Sequence, residues 1–167
     1  LDEAIAAARG EEPEVVIEPT IDIKIDAYID SSYIPHEAHK IEFYKKIASI
    51  EDIDDKLDIE DELIDRFGDM PKPVENLIDI AYIRALSKEL AIDELLERNK
   101  VVVFKLVKGM KLSSKTIMVV LNEYRDILEY KSSPISIFTL KVGARQPRDV
   151  VQMTREVLER ILELQHD

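Results

Sequence analysis

The stretch IDELLERNKVVVFKLV, residues 92–107, decides the fold. Upstream of it, from about residue 37, apolar residues recur at helical spacing; here the period changes to that of strands. It predicts a β-hairpin: Ile92 to Glu97, a turn near Arg98-Asn99-Lys100, then Val101 to Leu106. The second of these strands is β-branched and continuous, which predicts burial on both of its faces.

Downstream of the hairpin, Ser113 is placed to cap a helix over 114–124. Two more strands are expected over 126–130 and 135–142, joined by Lys131-Ser132-Ser133-Pro134. A last helix runs from 147 to 164 with Val150, Val151, Thr154, Val157, Leu158 and Ile161 inward. Upstream, Pro73 is suited to open a helix over 74–90, since its missing N–H is not needed there. A helix over 37–48 should turn Ile41, Tyr44, Ile47 and Ala48 to one side. Residues 20–29, TIDIKIDAYI, alternate as a half-buried strand with Ile21, Ile23, Ile25, Ala27 and Ile29 toward the core. Strands and helices are mixed without a βαβ alternation, so the expected class is α+β. It is a helical subdomain over 37–90 packed beside a small, mostly antiparallel sheet with a long C-terminal helix. Residues 1–13 read as the end of an upstream helix, stopped at Gly10, and a linker; residues 14–167 read as one domain. Because the first residue is Leu1 and not Met, the chain is expected to be a piece of a longer one.

Hydrophobic residues make up 46% of the 167, enough for a core, and charged residues 35%. The net charge of −12 and the pI near 4.8 argue against direct nucleic-acid binding, which Lys and Arg carry. No cysteine is present, which excludes disulfides and thiolate chemistry. No apolar run approaches the roughly 20 residues of a membrane helix, and nothing at the start resembles a secretory signal. The expectation is a soluble, cytoplasmic protein without membrane contact.

The charge is concentrated. Residues 51–69, EDIDDKLDIEDELIDRFGD, carry ten acidic residues against two basic ones. The segment still reads as a helix closed by Gly68. At about 100° per residue, Ile53, Leu57, Ile64 and Phe67 share one sector, widened by Ile59 and Leu63. Opposite them Asp55, Asp58, Glu62 and Asp65 form a stripe of carboxylates. Like charges at such spacing destabilise a helix by roughly a few tenths of a kcal/mol per pair. Arginines of a partner would turn that cost into attraction. Asp55, Asp58, Glu62 and Asp65 are therefore the candidate protein-interface residues. Glu60 falls inside the apolar sector, where the pattern offers no reason for it.

Chemistry by this chain is not expected, and no catalytic or cofactor-binding residue is assigned. The four glycines are not spaced as a phosphate-binding loop. His36 and His39 lie three apart at a helix start, with Glu42 a turn further on, and do not form the four-apart pair of a zinc hydrolase. They read as a solvated helix start, with no metal site assigned.

Tyr33-Ile34-Pro35, Phe43-Tyr44-Lys45-Lys46-Ile47-Ala48, the ELIDRFG run from Glu62 to Gly68, the pair Pro71 and Pro73, and Leu77-Ile78-Asp79-Ile80-Ala81 together resemble the C-terminal domain of bacterial transcription-repair coupling factors. The resemblance is densest over 33–90 and becomes one of pattern alone beyond 92. Lys40-Ile41 stand where the family pattern has Arg-Leu, and His36 where it has an acid. The resemblance implies a regulatory, autoinhibitory domain of a larger ATP- and Mg-dependent DNA translocase. In that family the domain packs on the N-terminal UvrA-binding module of the same polypeptide and masks it until RNA polymerase is engaged. The masking contact would use Glu62 and Asp65. Two other readings stand beside it: a free-standing acidic adaptor for some other basic protein, and a metal-dependent hydrolase using His36 and His39.

Overall fold

The computed structural model describes residues 17–132 and 134–167. The expected helix and linker over 1–13 lie outside the described residues. Those described form five helices: α1 (Glu37–Ala48), α2 (Ile53–Phe67), α3 (Lys72–Glu89), α4 (Ser114–Glu123) and α5 (Pro147–Gln165). They also form five strands: β1 (Thr20–Asp22), β2 (Ile92–Arg98), β3 (Val101–Leu106), β4 (Leu128–Lys131) and β5 (Ile137–Lys141).

The class is α+β. The strands make one sheet in the order β1-β2-β3-β5-β4. Every pairing is antiparallel except that of β1 with β2. The β2–β3 hairpin closes on Asn99 and Lys100, both at positive φ (49° and 67°). That is the two-residue turn whose twist matches the flanking strands, and asparagine tolerates it well. Ser113 caps α4, accepting from the Thr116 N–H at 3.1 Å, and Pro73 sits in the first turn of α3.

The helices lie on one face of the sheet. Along β3, Val102, Phe104 and Leu106 are buried, and β5 adds Phe138 and Leu140 to the same core. Against this face packs α3, with α5 lying along it and adding Val150, Val151, Val157, Leu158 and Ile161 to the same core. Val101 and Val103 remain half-exposed on the far face, so β3 is not buried on both sides as its run of β-branched residues suggests. The sheet has helices over one face only, and antiparallel sheets tolerate a wetted face.

Two further expectations need correction. Residues 20–29 do alternate in burial, with Ile23 and Ile29 in the core and Ile21, Ile25 and Ala27 half-buried. Only Thr20–Asp22 pairs as a strand. Beyond it the backbone finds partners elsewhere: the Tyr28 N–H donates to the Pro73 carbonyl at 3.2 Å, and the Ile29 N–H to the Tyr44 hydroxyl at 2.8 Å. The Asp26 carbonyl accepts from Asn76 Nδ2 at 2.9 Å. An extended segment with its polar groups satisfied by helices needs no neighbouring strand. In α1 the buried residues are Phe43 and Ile47, while Ile41, Tyr44 and Ala48 are exposed. The helix is turned so that Phe43 meets Phe67 edge-on, ring centroids 5.7 Å apart.

Candidate functional site

The acidic segment folds as α2, and local chemistry explains both of its ends. Asp52 caps it, accepting from the Asp55 N–H at 2.9 Å. The Asp55 carboxylate reaches back to accept from the Glu51 N–H at 3.0 Å. This is a reciprocal cap of two otherwise orphaned donors. Asp54 and Asp55 in the first turn and Arg66 in the last suit the helix dipole. Gly68 ends the helix at φ 84°, a left-handed value that costs a side-chain-bearing residue. The Tyr33 hydroxyl donates to the Gly68 carbonyl at 2.8 Å, tying the connection before α1 to the end of α2.

The buried side of α2 consists of Lys56, Ile59 and Leu63. Ile53, Leu57 and Ile64, expected in the core, are 39%, 48% and 43% exposed, and Phe67 is half-buried. The cause is Lys56. Its ammonium lies 3.2 Å from Glu60 and 3.7 Å from Asp79 of α3, whose side chain is only 4% exposed. Turning α2 to bring Lys56 inward carries Ile53, Leu57 and Ile64 onto an outer flank. It also gives Glu60 its reason: it is the near partner of Lys56.

Asp79 is the hub of a polar cluster that the sequence does not reveal. Arg148 of α5 pairs with it directly, and Arg155 approaches it at 3.8 Å. Arg155 also pairs with Glu159 at 2.9 Å, and Glu159 accepts from the Tyr82 hydroxyl at 3.1 Å. Burial, with Glu159 close by, pushes the Tyr82 phenol well above its ordinary value. Arg148 also donates to Asn76 Oδ1 at 3.1 Å. The faint signals were Lys56, one of two cations in an acidic run, and Asp79 set between Ile78 and Ile80.

The four candidate interface residues separate in space. Asp55 is half-buried and occupied with the helix cap. Glu62 is half-buried too, and its carboxylate is held by Lys46 of α1 at 2.9 Å and by Arg66 at 3.1 Å. The same cations hold Glu42, at 3.0 Å and 3.4 Å. The Lys46 hydrogen bond, helped by Arg66, keeps the Glu62 carboxyl below the usual carboxylate range. Glu42 is lowered likewise, chiefly by Lys46. Arg66 in turn sits 5.1 Å from the ring centres of both Phe43 and Phe67. Asp58 and Asp65 are exposed, and neither forms an ion pair among the described residues. The stripe therefore divides into two internally engaged carboxylates and two free ones.

His36 and His39 stack edge to face, 5.3 Å between centroids, and His39 lies against Phe67. Among the described residues no group of three or more His, Asp or Glu gathers to hold a metal. No helix there is long and apolar enough to cross a membrane.

Comparison with known proteins matches residues 23–117 to the TRCF domain family. Transcription-repair-coupling factor of Staphylococcus aureus (strain USA300) is 34% identical over 158 residues, which cover 93% of this chain and 13% of that protein. The Staphylococcus epidermidis protein of the same name is 37% identical over 102 residues, 60% of this chain and 9% of that protein. The chain thus spans about an eighth of the length of the Staphylococcus aureus relative. Its fold is that of a crystal structure of the C-terminal domain of transcription-repair coupling factor, with a TM-score of 0.81, 21% identity, and coverage of 92% of this chain and 97% of that one. The chain belongs to the TRCF domain family, and it folds like the C-terminal domain of transcription-repair coupling factor.

Proposed function

We propose that this domain is a non-catalytic, autoinhibitory clasp within a larger DNA-translocating protein of the bacterial cytoplasm. It docks on the N-terminal UvrA-binding module of its own polypeptide and masks it until RNA polymerase is engaged. The mechanism is a two-state switch, closed and masked or open and able to recruit UvrA. ATP and Mg belong to the motor domains of the parent, not to this domain. The domain contacts UvrA and RNA polymerase only indirectly and does not bind nucleic acid itself.

The observation that carries this reading is the pair Asp58 and Asp65, exposed, without ion-pair partners among the described residues, on a helix anchored at both ends. A rigid helix presents free carboxylates at fixed spacing, which suits arginines of a partner. A clasp that must open is served by a modest, polar interface. Glu62, drawn into the Lys46–Arg66 cluster, shapes the edge of that face and offers an already neutralised carboxylate. The cleanest test is therefore Asp58→Arg with Asp65→Arg in the full-length protein, since neither change breaks an internal pair. The expected outcome is stronger UvrA binding with no loss of thermal stability. UvrA binding equal to that of the unmodified protein refutes the clasp at these residues.

A further inference from the structure

The outer flank of α2 carries a second feature that charge alone does not explain. Ile53, Leu57 and Ile64 lie within about 40° of one another around the helix, and each is more than a third exposed. Beside them Asp54, Asp61 and Asp65 form another row of about 40°, all exposed and without ion-pair partners among the described residues. The two rows run parallel, about 80° apart, along roughly 16 Å of helix. An exposed apolar row flanked by unpaired acids is left over on a helix whose buried side is already packed by Ile59 and Leu63, and such a patch marks a contact.

We infer that this flank receives a basic amphipathic helix. Its apolar side chains, at i, i+4 and i+7 or i+11, would cover Ile53, Leu57 and Ile64, while arginines or lysines on its margin reach Asp54, Asp61 and Asp65. Charge complementarity selects this occupant. A second copy of the domain, at net charge −12, would set acid against acid. The inference rests on the docking reading above and adds the chemistry of the partner's contacting segment. The interface then stays modest and mostly polar, with three apolar side chains inside an ionic border, Asp65 shared between the two descriptions and Glu62 at its edge.

The test measures binding of the purified domain to the N-terminal UvrA-binding module of its parent, for the unmodified chain, Leu57→Gln with Ile64→Gln, and Asp58→Arg with Asp65→Arg. The apolar pair is exposed, so urea midpoints are expected to match; where the double variant unfolds early, Leu57→Gln alone replaces it. The expected result is a loss of at least about tenfold in affinity for the apolar variant, with the salt dependence of what binding remains unchanged. Binding by the apolar variant within about twofold of the unmodified chain, while the charge-reversed variant loses it, overturns the inference and leaves the clasp standing. Failure of the unmodified chain to bind the module at any salt concentration overturns both.

Discussion

The two sides of α2 use the same residue types to opposite ends. On the inner side Lys56 and Glu60 join Asp79, Arg148 and Arg155 in a cluster that links three helices. On the outer side Asp54, Asp58, Asp61 and Asp65 have no ion-pair partner among the described residues. Buried charges must be paired, because an unpaired one loses its hydration with nothing in return. Exposed charges need no partner, so an unpaired row at the surface is stable enough to persist and free to meet something else. The inner charges belong to the fold, and the outer ones are available to a partner.

The largest effect should come from breaking the inner cluster at its hub. Asp79→Ala leaves Lys56, Arg148 and Arg155 facing one another with only Glu60 and Glu159 to balance them. Removing one member of a buried pair typically costs about 3–5 kcal/mol. Urea unfolding of the Asp79→Ala domain should show a loss of that order. A second substitution, Lys56→Met, should recover part of it by removing one of the stranded cations. A loss under about 1 kcal/mol would mean that water reaches the cluster and that the contrast between the two sides of α2 is false.

An intermediate case is the Glu42–Lys46–Glu62–Arg66 group on the seam between α1 and α2, paired but partly wet. Hydrogen bonds from Lys46, with Arg66, depress both carboxyls. A depressed carboxyl stabilises the fold fully above its unfolded value of about 4.3. That contribution fades as pH falls through the lower folded value. The stability of the unmodified domain should therefore drop more steeply below about pH 4.3 than that of a Glu42→Gln, Glu62→Gln variant. Urea midpoints measured through this range check it, and parallel curves would show that the seam contributes nothing that titrates.

How far these roles were legible in the sequence follows from the same contrast. The hairpin, the caps at Ser113 and Gly68, and the inward residues of α5 are local or periodic features, and they were readable. The orientation of α2 was not. Its apolar residues offered two overlapping faces, Ile53-Leu57-Ile64 and Ile59-Leu63, and the choice was made by Lys56 reaching an acid more than twenty residues away. A hydrophobic pattern cannot register a long-range ion pair. The same blindness turned α1 too far toward Ile41 and Tyr44, because Phe43 is fixed by Phe67 from another helix. For the candidate site, the sequence showed where the acids are dense but not which are already engaged. Glu62 was the most family-typical choice, and Lys46, sixteen residues earlier, holds it.

The smallest effect is the most pointed test of the outer side. Asp58 faces Asp54 and Glu62 one turn away, and Asp61 faces Asp65. Each like-charged pair at that spacing costs a helix roughly 0.2–0.5 kcal/mol. Asp65 also sits in the last turns, where the carbonyl end of the dipole disfavours an anion. Asp54 differs, because an anion in the first turn suits the dipole. Replacing Asp58, Asp61 and Asp65 together by Asn should thus raise the urea midpoint slightly, by an amount that shrinks as salt is added. If the clasp proposed above holds, the same replacement should also weaken binding to the UvrA-binding module. A surface that becomes more stable as it loses its partner is one whose charges are maintained at the fold's expense. If the triple variant were instead less stable, those aspartates would have partners in the folded domain, and the division between the two sides of α2 would have to be redrawn.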